Sequence, residues 1–220
     1  MDKATGLAYF RQQYFGPVDH YLGWHDGYEA DFICLDQLTI AERGQAETEL
    51  LAAVQTRPGD PRALLGLGHL RSRAALPALH NCLPFWATYA LNAIAQIDAQ
   101  ALDKAQLLHE LRNTTSEYQL IDFLVGIRAY FTLAHVGTAI TAQIFRLLHH
   151  AQYLVRYHAL QTLRRLYALP TAALEFSHDT EKVREDAVFQ LICKDGYPAK
   201  YRQAEQLVRL EIEAAGGTGS

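Results

Sequence analysis

The side chains best placed for chemistry lie near the N-terminus, where Asp19-His20 and His25-Asp26 each set an imidazole beside a carboxylate, with Glu29 and Asp31 close behind. A histidine next to a carboxylate can act as a metal ligand with its orienting partner. A zinc site needs three or four converging ligands, and the spacing supplies no others, so no metal is expected. Asp26, Glu29 and Asp31 could serve as paired carboxylates, although this density of acids also makes a plain solvated face. His149 and His150 are adjacent, so on a helix they point about 100° apart and cannot share a face. They read as a helix-end pair that favours the negative end of the dipole. The chain has no Gly-x-Gly-x-x-Gly, no Gly-Lys-Ser/Thr phosphate loop, no Gly-x-Ser-x-Gly and no His-Glu-x-x-His. No catalytic residue and no cofactor are expected.

Charge points to binding. Between Asp19 and Glu49 lie eight acidic residues, Asp19, Asp26, Glu29, Asp31, Asp36, Glu42, Glu47 and Glu49, against the single basic Arg43. The formal net charge of the whole chain is −4, so the acidity is concentrated in this stretch. Residues 1–38 also hold eight of the 23 aromatics, Tyr9, Phe10, Tyr14, Phe15, Tyr21, Trp24, Tyr28 and Phe32. Two roles fit such a segment: a cap over the open end of a helical array, and a partner-binding edge of aromatics beside carboxylates. The edge residues would be Asp19, Asp26, Glu29, Asp31 and Asp36 with Trp24 and Tyr28.

The elements behind these residues are helices. From Thr39 onward apolar residues recur at three- and four-residue spacing with no period-two strand. Thr39-Ile40-Ala41-Glu42 and Thr114-Thr115-Ser116-Glu117 have the form of capping boxes. Arg57-Pro58-Gly59 stops one helix, and Asp60-Pro61 restarts the chain as an N-cap followed by a first-turn proline. The helix pairs expected are 41–71, 74–97, 101–132, 138–168 and 171–193, with a closing helix near 199–214. Pro170 breaks the fourth pair, and residues 215–220, rich in glycine, have nothing to bury. Cys34, Cys82 and Cys193 are odd in number, far apart and without a Cys-x-x-Cys pair, which suits reduced, buried thiols. No apolar run approaches the roughly 20 residues of a membrane span, and the start shows no secretory pattern, so a cytoplasmic protein with no membrane contact is expected.

A repeat is visible within the pairs. Val155-Arg156 with Ala159 and Leu163 matches Val183-Arg184 with Ala187 and Leu191 at an offset of 28, and Ala90-Leu91 with Ile94 keeps part of the form. With Asp60-Pro61-Arg62 and Ala74-Ala75-Leu76-Pro77-Ala78-Leu79, these residues resemble the bacterial short-repeat branch of the HEAT-repeat family over residues 41–195. The middle unit has Gln119-Leu120-Ile121-Asp122 where Val-Arg belongs. The resemblance implies an all-α, right-handed α-solenoid of about five HEAT-like antiparallel helix pairs. Residues 1–38 would form an N-terminal capping segment, 39–214 the repeat domain and 215–220 a disordered tail. In that family arginines such as Arg156 and Arg184 brace neighbouring units.

With Val155, Ala159 and Leu163 buried, a helical wheel turns Tyr157, Gln161 and Arg164 outward, and the repeat alignment adds Asn92, Asp122, Glu185 and Phe189 to the same concave groove. The function expected is a monomeric protein-interaction scaffold that binds another protein with a basic surface, since opposite charge steers the encounter. Small acidic HEAT-like proteins resemble some bacterial immunity proteins and adaptors. The resemblance also admits an enzyme, such as a HEAT-like DNA glycosylase or bilin lyase. Arg62, Arg71, Arg73, Arg164 and Arg165 are scattered, and the acidic stretch opposes the phosphate-neutralising surface that nucleic acid requires.

Overall fold

The computed structural model describes residues 6–19, 21, 23, 26–56, 60–169 and 185–216. His20, Trp24, His25, Arg57-Pro58-Gly59, Pro170, Val183-Arg184, the first helix of the 171–193 pair and residues 217–220 lie outside the described residues. Among the described residues the chain is helical, with no strand and no helix long and apolar enough to cross a membrane.

Two compact units divide the chain, Met1–Asp103 and Lys104–Ser220. The first contains α1 (Gly6–Phe15), α2 (Ile33–Asp36), α3 (Ile40–Thr56), α4 (Pro61–His69), α5 (Leu76–Cys82) and α6 (Ala87–Asp98). The second contains α7 (Lys104–Asn113), α8 (Glu117–Tyr130), α9 (Leu133–Leu147), α10 (Tyr153–Leu166), α11 (Ala187–Ile192) and α12 (Pro198–Ala214). The N-terminal segment therefore shares a unit with the helices that follow it, and the division falls after α6.

Local chemistry accounts for the boundaries. At α3 the Thr39 N–H donates to Glu42 Oε2 at 2.9 Å and the Glu42 N–H donates to Thr39 Oγ1 at 3.3 Å, the reciprocal box expected. Asp60 caps α4 by accepting from the Arg62 N–H at 3.0 Å, with Pro61 at the first helical position. The box expected at Thr114 is displaced by two residues. Ser116 is the N-cap of α8 and accepts from the Gln119 N–H at 3.4 Å, because Gln119 fills the third helical position that Glu117 was expected to hold. Within α9, Gly137 has φ 75° and ψ 178°, a left-handed conformation that disfavours a side chain. Regular helix therefore resumes at Thr138, where the sequence placed its start.

In the first unit α3 packs on α4 and α5, α4 packs on α6, and α5 packs on α6. The α4–α6 approach is close enough that a Cβ at Gly68 would lie 2.8 Å from Ala93 Cα. In the second unit α7 packs on α9, α8 on α10, α9 on α10, α10 on α11 and α11 on α12. Several helices two apart in the chain, such as α4 and α6 or α8 and α10, thus meet within each unit.

Helix α1 covers the start of this array. Phe10 and Tyr14 are fully buried, and the Tyr14 ring lies against Gly66 of α4. Arg11 forks onto Glu49 of α3 with its Nη2 at 2.6 Å from Oε1 and its Nε at 3.0 Å from Oε2. Arg62 donates to the carbonyls of Gln13 and Gly16. Burial of the two aromatic rings supplies roughly 3–6 kcal/mol of apolar driving force for packing α1 on α3 and α4, offset in part by the buried, unpaired Tyr14 hydroxyl. Cys34 and Cys82 are buried and Cys193 is half-buried, all as free thiols. Burial pushes the Cys34 and Cys82 thiols up to about 11, so neither offers a reactive thiolate.

Candidate functional site

The acidic stretch separates into two groups. Asp31 accepts from the Tyr9 hydroxyl at 2.6 Å and from the Ile33 N–H at 2.9 Å, joining α1 to the start of α2. The same bond to Asp31 raises the Tyr9 hydroxyl above its ordinary value. Asp36 lies 2.7 Å from His69 Nε2, and Phe32 stacks on the His69 ring at 4.5 Å with an interplanar angle of 6°. These two carboxylates, expected to face a partner, are bonded within their own unit, Asp31 half-buried and Asp36 exposed.

Asp19, Asp26 and Glu29 share one pocket. All three are exposed, and with Val18, Gly23, Gly27 and Tyr28 they line a pocket of about 260 Å³. The Asp19 carboxylate accepts from the Tyr21 N–H at 2.9 Å, and Gly27 adopts φ 93°, turning the chain between Asp26 and Tyr28. What fixes this loop is a long-range bond: the Tyr28 N–H donates to the Tyr89 hydroxyl of α6 at 2.7 Å. The Tyr28 ring meets Trp86 at 5.5 Å and 83° and Tyr89 at 6.1 Å and 76°, and Trp86 meets Tyr89 at 6.0 Å and 77°. Three rings, each nearly perpendicular to the others, are a favourable quadrupole arrangement, and they form the wall that carries the loop. Trp86 and Tyr89 did not stand out in the sequence. Pro84-Phe85-Trp86 at the head of α6 was the available signal, a dense aromatic turn with Phe85 61% exposed.

This arrangement can attract and seat a cation. Carboxylates attract a positive group by about 1 kcal/mol each at 4 Å in water, and an adjacent tyrosine face adds to the attraction. The pocket offers three carboxylates and the Tyr28 ring, with Val18 and two glycines beside them. Among the described residues no group of three or more histidine, cysteine or carboxylate side chains is arranged to hold a metal.

The expected groove residues separate as well. Asn92, on α6 in the first unit, accepts from Gln96 Nε2 at 2.8 Å. In the second unit Tyr157 and Phe189 come together edge to face at 6.3 Å, and Tyr153 joins both rings at 6.1 and 6.2 Å. Asp122 is half-buried on α8, and Glu185 is exposed just before α11. Gln161 and Arg164 do not face outward: each is only 4% exposed. The wheel identified one apolar stripe of α10, but α8, α9 and α11 pack against this helix from several sides, so its polar residues are enclosed too.

Arg164 bonds Asp186, the N-cap of α11, through both Nη atoms, and its Nη2 lies 3.3 Å from Glu211 of α12. Burial raises the Asp186 carboxyl, but the Arg164 bond and the Phe189 and Val188 N–H groups outweigh it and leave the group below its ordinary range. Arg156 is fully buried. Its Nε donates to Ile192 O at 3.0 Å, its Nη1 to His150 O and Ala151 O at 2.6 Å each, and its Nη2 to Asp195 at 2.6 Å. These bonds tie α10 to the turn before it and to the end of α11. Comparison with protein-family models, with curated proteins and with solved structures finds no match to this chain.

Proposed function

We propose that this chain is a protein-interaction module of the HEAT-like kind, and that the Asp19–Asp26–Glu29 pocket on its first unit receives a lysine or arginine side chain of a partner with a basic surface. The contact of helices two apart in the chain, α3 with α5, α4 with α6, α7 with α9 and α8 with α10, supports a solenoid-like stacking. The observation that carries the function is the docking of the 26–29 loop onto α6 through the Tyr28 N–H and the Tyr28–Trp86–Tyr89 rings. A loop held in this way presents its carboxylates in a fixed arrangement, and preorganisation lowers the ordering cost of binding. Exposed charges of this kind contribute to encounter rate and partner choice more than to final affinity. An immunity protein that masks a basic enzyme surface and a regulatory adaptor are the two forms of the proposal.

Affinity purification from the native host, at low and moderate salt, tests it. The wild-type chain is expected to retain a basic protein that the Asp26→Asn/Glu29→Gln variant loses. Recovery of the same protein by both forms, or of nucleic acid in place of protein, contradicts the proposal.

A further inference from the structure

In the second unit the imidazole of His158 is held against a guanidinium. His158 of α10 is half-buried, and its Nδ1 lies 2.8 Å from Nη1 of Arg128 on α8. A guanidinium donates and never accepts, so Nδ1 is the acceptor, the ring is neutral and its proton sits on Nε2. One turn on, the Thr162 hydroxyl bonds Leu124 O of α8 at 3.0 Å and His158 O at 2.8 Å, which fixes the backbone that carries the imidazole. We propose that the Arg128–His158 hydrogen bond is an acid-sensitive latch, holding α8 against α10 while the imidazole is neutral and releasing it when the imidazole takes up a proton.

Protonation would replace the acceptor with a second cation at hydrogen-bond distance from the guanidinium, in a half-buried site where solvent screens the repulsion only in part. The other titratable side chains on the elements packed against α10 are Glu117, Tyr118, Asp122 and Tyr130 on α8 and His135 and Arg146 on α9. Helix α11 carries none, and its cap Asp186 is bonded to Arg164. Burial first, and the Arg128 charge second, depress the His158 imidazole to about 4. A group depressed in this way contributes stability that is complete above its unfolded value of about 6.5 and is lost as pH falls toward 4. The effect reaches the aromatic face as well, because the His158 ring meets Tyr157 edge to face at 5.2 Å and Tyr157 belongs to the cluster with Tyr153 and Phe189.

Two measurements on the full chain decide the matter. Proton NMR of the wild-type imidazole should show His158 titrating well below the ordinary histidine value, with the Tyr157 ring resonances following it. Chemical unfolding between pH 7 and 4 should show the wild-type unfolding constant rising on the order of a hundredfold more than that of His158→Gln, which keeps an acceptor but cannot be protonated. An imidazole that titrates near 6.5, or equal acid sensitivity in the two proteins, overturns the latch. The NMR titration stands even if the variant does not fold.

Discussion

The two units differ in the number of their charges and in how deeply some of them lie. Residues 1–103 carry twelve acidic and seven basic side chains, and residues 104–220 carry twelve acidic and thirteen basic ones. The first unit leaves Asp19, Asp26 and Glu29 exposed around one pocket. The second buries Arg156, Arg164 and Asp186 and uses them to join helices. Asp26 and Glu29 of the first unit are placed to act on another molecule, whereas Arg156, Arg164 and Asp186 of the second are committed to the fold, as Arg11 and Glu49 are in the first. Substitutions at Asp26 and Glu29 should therefore affect binding, and those at Arg164 and Asp186 stability.

The largest effects are expected in the second unit. Arg164→Leu leaves Asp186 buried beside its cap bonds without a counter-charge and should cost about 3–5 kcal/mol, read as a shift in denaturation midpoint. Asp186→Ala should also be costly, since it removes the cap and leaves Arg164 only Glu211, and the double variant should cost less than the sum because the pair is broken once. Additive costs in that cycle would show that the pair is not coupled. The Asp186 carboxyl lies below its ordinary range, so its contribution is present above about pH 4 and is lost as pH falls through the folded value. This loss comes at lower pH than the one proposed for His158.

A middle-sized effect links the two behaviours. Tyr89→Phe removes the hydroxyl that accepts from the Tyr28 N–H and should cost about 1 kcal/mol. Hydrogen exchange at the Tyr28 amide should speed up, and the carboxylate loop should lose its fixed position. Unchanged exchange would mean that the three rings alone hold the loop. In the second unit, Gln161 is buried with neither polar atom of its carboxamide paired. Gln161→Met should leave stability unchanged or raise it by about 1 kcal/mol. A marked fall in the midpoint would show that water satisfies the amide in solution.

The smallest stability effect belongs to the pocket. Asp26→Asn/Glu29→Gln should shift the denaturation midpoint by no more than about 0.5 kcal/mol, as expected of exposed positions. A loss as large as that of Arg164→Leu would erase the contrast between the units.

Much of the helical order was legible in the sequence because its signals are local. The Thr39 box, the Asp60-Pro61 start and the Val155-Arg156-x-x-Ala159 form each depend on residues within one or two turns, and their elements appear where expected. Ser116 in place of Thr114 shows how two adjacent candidates for a cap leave the choice to the third helical position. The candidate site was less legible. Asp31 and Asp36 look like Asp26 in sequence, and only the fold brings Tyr9 and His69 to them. Gln161 and Arg164 were turned outward by their polarity, although a helix enclosed on several sides encloses its polar residues as well. The Tyr28–Tyr89 bond spans 61 residues, and no local pattern announces a contact of that range.

The most direct test of the central claim is an amide NMR titration of the full chain with an oligoarginine peptide, repeated at high salt and with Asp26→Asn/Glu29→Gln. The account predicts saturable shifts at Asp19, Asp26, Gly27, Tyr28 and Glu29 and at the Trp86 indole, weakened by salt and abolished in the variant. Shifts that are absent, or that persist unchanged in the variant, would contradict it.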